Sequence, residues 1–378
     1  MKFSHVFFYI LLLCCSTACS TDDVTDNNII PVSIYGKSNN DHTHVTVSNM
    51  GIVTKHILND ELQLDSNTDK YLKISNKNLF FYSPFNLNTG IRQKNLVTGA
   101  TIIKENFCLP QLNDSFVNVG GNEDILFKVI INIDDMSNES VHLDVYDTQL
   151  EVPCSRINIS KAPSRYIGRS IEAEIYDTTI LVKYESEDKY YLTVIDLITK
   201  QIVKEFIFDS AVRTAFVLKS EIYISTIFPE YKVYNLLDFS FKRNIILIDN
   251  LSAIELDLGL IHPQVYKDQI AAKLFLPQPA ILESVPAIID RNSGKLIDHI
   301  DYSDLRSLNY KIADVIFQDL NYDSVGSFND IKIDIASKTL ILTYPLSSSA
   351  GLVVYADYDG NLLSYIEVPV NPQRIIVH

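Results

Sequence analysis

The sequence contains no tryptophan, three methionines and five cysteines among 378 residues. Without tryptophan there is no indole ring to stack on a sugar. Cationic side chains are also short: 32 Lys and Arg stand against 47 Asp and Glu, a net charge of −15. That balance argues against a nucleic-acid partner, whose phosphates require an excess of cations. No apolar run reaches the roughly 20 residues of a membrane-spanning helix. There is no Gly-x-Ser-x-Gly, no phosphate-binding loop and no paired His-Glu motif, and nothing in the sequence asks for a cofactor. The hydrophobic content of 47% nevertheless exceeds that of a disordered chain.

The cysteines that are present cluster at the start. In "LLLCCSTACSTDD", Leu11 to Asp23, three of them fall close together after an apolar core of about ten residues, which has the length of a secretory h-region. Only Cys19 follows a run of small side chains, Ser16-Thr17-Ala18, that a signal peptidase accepts; Cys14 and Cys15 belong to the apolar core. This segment resembles the lipobox of bacterial lipoproteins, with Ser16 where leucine is usual. The resemblance implies removal of residues 1–18, lipidation of Cys19 and a polar tether over residues 19–28; the alternative is an ordinary secretory peptide cut nearby. It also implies that Ser20 does not retain the protein at the inner membrane. Asp22-Asp23 is similar to the surface-export signal of Bacteroidota lipoproteins, so the expected location is the outer membrane, with its outer leaflet as a further option.

After processing only Cys108 and Cys154 remain, in a compartment where disulfides persist. A bridge would close a loop of about 47 residues; two buried free thiols are the alternative.

Residues 29–378 are rich in short β-branched and aromatic runs separated by turn residues, an all-β pattern. One module recurs: strand, polar loop, strand ending in Asp or Asn, tight turn, strand. Its clearest copies are Thr179 to Phe208 and Thr339 to Val368, followed by Gln269 to Ile300. Fainter copies run from Asn78 to Ile103, Ile125 to Val152 and Glu221 to Ile246, with a seventh from Pro31 to Ile57. The marker residues Asn49, Asn95, Asp147, Asp196, Asn235, Asp290 and Asp357 recur on average every 51 residues or so (~51), the length of a four-stranded blade. Asp196, Asp290 and Asp357 can accept backbone N–H bonds, and Gly294 and Gly360 can take positive φ.

The recurrence resembles that of β-propellers such as WD-repeat and related bacterial proteins, without their Trp-Asp pair. It implies seven blades of four antiparallel strands; six blades and tandem β-sandwiches are the rivals. The first module lacks an innermost strand before Ile29, and "RIIVH", Arg374 to His378, is expected to supply it and close the ring. A short capped helix is expected from Ser303.

In a propeller, ligands usually bind on the face away from the outer-hairpin turns. The loops expected there carry the acids Asp134, Asp135, Glu185, Glu187 and Asp188 and the aromatics Phe85, Tyr190, Phe228 and Tyr231. They suit a pocket for a basic or sugar-like ligand, or a solvated rim. Asp357, Asp359 and Asn361 alternate like calcium ligands but lie at an outer turn without a distal glutamate, so they read as a plain turn. His42 and His44 share a strand face, two ligands short of a zinc site, and His142, His262 and His299 have no neighbours that suggest a triad. The leading expectation is a non-catalytic, membrane-anchored module that binds a protein or glycan. An envelope assembly factor and a propeller-based glycan hydrolase or lyase are the alternatives.

Overall fold

The computed structural model describes residues 29–378 apart from 39–40, 65–70, 76, 83–89, 110, 112, 135–137, 150–153, 161–166, 168–170, 228–229, 250–251, 257–263, 276–283 and 324–327. Residues 1–28, where the leader and the lipidated Cys19 are expected, therefore lie outside the described residues. The chain forms a β-propeller of seven blades. Blade 1 contains Val32–Ser38, Asp41–Val47 and Val53–Ile57, and its innermost strand is Pro372–Val377 from the far end of the sequence. Val32, Ser33 and Ile34 pair with Val377, Ile376 and Ile375, so the ring closes as the sequence suggests.

Blades 2 to 5 run consecutively, each from its innermost strand outward. Blade 2 begins at Tyr71–Ser75, blade 3 at Asp114–Gly121, blade 4 at Glu172–Tyr176 and blade 5 at Thr214–Leu218. Blade 7 contains Asp330–Asp334, Thr339–Pro345, Gly351–Ala356 and Leu362–Val368. Blade 6 departs from the expected four strands. Its inner position is divided between Ser252–Leu256 and Val265–Tyr266, which pair with opposite ends of Gln269–Phe275, and Ile248–Asp249 adds a short hairpin.

Why the strands read as nearly continuous apolar runs is clear from their packing. Successive side chains point to opposite sheet faces, and in a propeller both faces meet a neighbouring blade. In the second strand of blade 2, Leu79 and Phe81 pack with Tyr35 and Leu58 of blade 1, whereas Phe80 and Tyr82 pack with Val119 and Leu126 of blade 3. Val129 and Leu143 of blade 3 meet Ile180 and Val182 of blade 4. At the closure Val32, Ile34 and Ile375 meet Ile341, Val353 and Tyr355 of blade 7. A large continuous core joins blades 4 to 7. Full burial of such a side chain contributes about 1.5–3 kcal/mol, which is how the ring dispenses with tryptophan.

In blade 1 Ser48, rather than the marker Asn49, accepts the Met50 and Ile52 amides; the other six marker residues do the same work in their own outer hairpins. Their side-chain oxygens accept the backbone N–H two residues on: Asn95 from Val97 at 2.9 Å, Asp147 from Gln149 at 2.9 Å, Asp196 from Ile198 at 2.8 Å and Asn235 from Leu237 at 3.0 Å. Asp290 and Asp357 accept from Asn292 and Asp359 in the same way. Asp357 also accepts from the backbone N–H and side-chain amide of Asn361, so its oxygens serve the turn. Gly294 and Gly360 both adopt φ 72°. The expected helix spans Tyr302–Asp314 and extends through a π-turn, Val315–Asp319. Leu305, Leu308, Ile312 and Ile316 bury its inner face. Lys311 donates to Gly360 O, and Tyr365 donates to Asp319 further along, so the helix lies beside the outer strand of blade 7 and covers its edge.

Cys108, in the connection after blade 2, is joined to Cys154 beside the outer strand of blade 3, with Cα atoms 5.3 Å apart. The bridge ties that connection to the blade it leads into. Buried Lys128 donates to Cys108 O, and Asp144 lies 3.7 Å from the same ammonium. Burial holds the Lys128 ammonium below its ordinary range despite Asp144 and Asp114 nearby.

Candidate functional site

The innermost strands surround the central channel, and Lys73, Glu174 and Lys332 place charges at the middle of three of them. Lys73 of blade 2 reaches past blade 3 to blade 4. Its ammonium donates to Asn118 Oδ1 at 3.0 Å and Ala173 O at 2.7 Å and lies 3.1 Å from Glu174. Asn118 in turn donates to Ile171 O at 3.2 Å. Lys73 and Glu174 retain only 11% and 7% side-chain exposure, so three blades are tied across the channel by nearly dry polar groups.

Above this tie, where the innermost strands begin, a cleft of about 180 Å³ opens between blades 4 and 5. Glu172, Lys183 and Arg213 stand around its mouth, and Ala173, Leu181, Leu192 and Ala215 form an aliphatic wall. Lys183 is held 2.9 Å from Glu172 and donates to Arg213 O at 3.1 Å. Arg213 is exposed, and its guanidinium makes no ion pair among the described residues. The lining carries three cations against two carboxylates, the reverse of the chain as a whole. The cleft shares its face with the Glu187-Asp188 turn and lies opposite the Asp196–Lys200 turn, as the pairings of Ser186 with Lys189 and of Asp196 with Gln201 require.

The residues expected on that face are placed in several ways. Tyr231 is 1% exposed and packs in the core of blades 4 to 7. It is the second residue of Glu230–Asn235 rather than part of the preceding loop, and the strand's alternation turns it inward. Tyr190 packs partly against the same core. Asp134 accepts from the backbone N–H and side-chain amide of Asn138, closing its own loop. Glu185, Glu187 and Asp188 stand at the top of blade 4 but do not line the cleft. Asp135, Phe85 and Phe228 lie outside the described residues. The residues that do line it were missed because charges within a short β run, Lys73 in "YLKIS" or Glu172 and Glu174 in "EAEIY", look like ordinary strand alternation. Opposite charges at the middle of two inner strands, with one blade between them, are the signal that could have found them.

His42 and His44 serve packing, and His262 lies outside the described residues. Tyr35 OH and His42 Nδ1 are 2.6 Å apart, and His44 stacks on His56. Ser33 donates to Leu96 O, so its oxygen accepts from His378 Nε2 at 2.8 Å and His44 Nε2 at 3.2 Å. That buried hydroxyl joins blade 1 to blade 2; it has no proton left for a base to take. Burial, with Lys94 and His56 close by, pushes the His44 imidazole down to about 4. No group of three His, Cys, Asp or Glu side chains among the described residues could hold a metal ion. At the seam of blades 5 and 6, Glu221 accepts from Lys242, Arg243, Arg291 and Tyr223, and these bonds bring its carboxyl down to about 2.

No family model matches the chain, and no curated protein sequence is similar to it. In fold it is similar to a prolyl endopeptidase structure, with a TM-score of 0.46 and 9% identity over 100% of this chain and 55% of that one. It is also similar to a protein from Lactobacillus plantarum, with a TM-score of 0.45 and 12% identity over 92% of this chain and 100% of that one. The chain thus spans about half the length of the endopeptidase.

Proposed function

We propose that this chain is a bacterial lipoprotein, held at the outer membrane by acyl chains on Cys19, whose propeller presents its channel mouth as a non-catalytic binding site for a protein or glycan ligand. The observation that supports this reading is the cleft itself. Four of its five charges are paired in advance, Lys73 with Glu174 and Lys183 with Glu172, which reduces the ordering required when a ligand arrives. Both carboxylates of the lining face a lysine ammonium, an arrangement that supports recognition over the proton transfers of a glycan hydrolase or lyase. The acyl chains would contribute about 0.8 kcal/mol per buried methylene, enough with two or more chains for stable anchoring.

Two measurements test the reading. A photo-crosslinking residue placed at Thr214, beside the cleft, is expected to give adducts in cells of the native host, whereas one at Ile198 on the opposite face is not. Equal adducts from both faces, or none from Thr214, reject the site. The variant Cys19→Ala is expected to leave the membrane fraction, and one that still partitions with it rejects the anchor.

A further inference from the structure

We infer that the cleft between blades 4 and 5 captures the terminal carboxylate and last side chain of a peptide, an assignment that rests on the channel mouth being the binding site. Its volume of about 180 Å³ admits one residue, well below the roughly 300 Å³ at which drug-sized pockets begin. A chain end is the part of a protein ligand that can enter so small a space.

The chemistry of the walls selects the end that carries a carboxylate. Arg213 projects a guanidinium that no described carboxylate engages, and a guanidinium fork matches a carboxylate in two parallel hydrogen bonds. Lys183 lies next to it and is shared between Glu172 and the Arg213 carbonyl, so the Arg213 backbone is held while its side chain stays available. Half-buried Ala215 gives the same cleft an apolar wall, with the core residues Leu181 and Leu192 closing it from behind. A C-terminal residue joins a carboxylate and a side chain at one carbon, which lets both surfaces be used at once. This is the established physics of terminal-carboxylate capture. An acidic sugar would meet the cation equally well but would find no aromatic ring among the lining residues on which to stack. The chain's net charge of −15 adds a filter, since an acidic ligand gains nothing from the rest of the surface and must find this locally cationic patch.

The test uses the purified full chain and calorimetric titration with three probes: acetyl-Ala-Leu bearing a free carboxylate, the same dipeptide as its C-terminal amide, and glucuronate. The acid is expected to bind at least about tenfold more tightly than the amide, the factor a charge-assisted hydrogen bond supplies. Arg213→Gln is expected to abolish that difference while thermal unfolding stays unchanged, because the side chain is exposed. Equal binding of acid and amide, or a preference that survives Arg213→Gln, overturns the inference. Binding of glucuronate alone, lost in Arg213→Gln, overturns the peptide assignment and leaves the channel-mouth site standing. Absence of binding by all three probes overturns the inference as well; the Thr214 cross-links then decide separately whether the site itself falls.

Discussion

Deleting Arg374 to His378 removes most of the innermost strand of blade 1, and the structure gives the size of the loss. Ile375 and Ile376 are 1% and 8% exposed, so withdrawing both from the core costs about 3–6 kcal/mol. The ladder from Val32–Val377 to Tyr35–Arg374 is lost with them, at about 1 kcal/mol for each net hydrogen bond. So are the bond from the Ile375 amide to Asp330 of blade 7 and the contact of His378 with Ser33. The total approaches 10 kcal/mol or so, on the order of the ~5–15 kcal/mol by which folded domains exceed their unfolded chains. Denaturant unfolding followed by circular dichroism is therefore expected to show the truncated chain largely unfolded or melting far below the parent. The single variant Ile375→Ala, which leaves the backbone ladder intact, is expected to lose about 2–5 kcal/mol. A truncated chain with the parent's midpoint would refute the reasoning, since it would mean that neither the ladder nor the buried isoleucines hold the ring shut.

Three other outcomes follow from the described contacts. His44 titrates at about 4 when folded against 6.5 when free, so its contribution is complete above pH 6.5 and is lost as pH falls from 6.5 towards 4; about 3 kcal/mol should go over that window, and His44→Gln should flatten it in melts run at stepped pH. Glu221, brought down to about 2 from 4.5, contributes stability that is present above pH 4.5 and lost as pH falls towards 2. Glu221→Gln, which leaves Arg243 and Arg291 without their counterion, should cost about 3–5 kcal/mol at neutral pH, and a neutral effect would show that solvent already screens the cluster. Replacing Cys108 and Cys154 by serine should cost about 4 kcal/mol through the freed 46-residue separation, and identical denaturation midpoints with and without reductant would contradict it.

Much of the fold was legible because a tight hairpin imposes a local demand that a side chain must meet. An Asp or Asn at the strand end bonds the second amide of the turn, and that requirement holds whatever the blade packs against. Asn95, Asp147, Asp196, Asn235, Asp290 and Asp357 could therefore be picked out singly and counted as blades. The closing strand was legible for a related reason, since blade 1 had three strands in sequence and an exposed inner edge to cover. Blade 6 was less so. Its inner position is filled by two pieces, and no local rule distinguishes a divided strand from a loop between strands.

The site was hidden for the opposite reason. A residue facing the channel answers to partners one or two blades away: Lys73 finds Glu174 at a distance of about 100 residues along the chain, and Asn118 finds Ile171 across a blade boundary. Nothing in the local pattern announces such a pair. Tyr231 shows the error that results from reading loops alone, because moving a strand boundary by two residues converts a rim aromatic into a core one. The acids of the expected loops suited a basic or sugar-like ligand or a solvated rim, and one of them, Asp134, is taken up by its own loop. Some of the cations are committed to named carboxylates, as Lys94 is to Glu61 and Arg156 to Asp114 and Asp144, whereas others, Arg306 and Arg374 among them, make no such pair among the described residues. Arg213 belongs to the second group, and what sets it apart is its place: an exposed guanidinium at the blade 4–5 cleft, beside a lysine whose ammonium is already shared with Glu172, in a protein whose excess of acids leaves cations scarce.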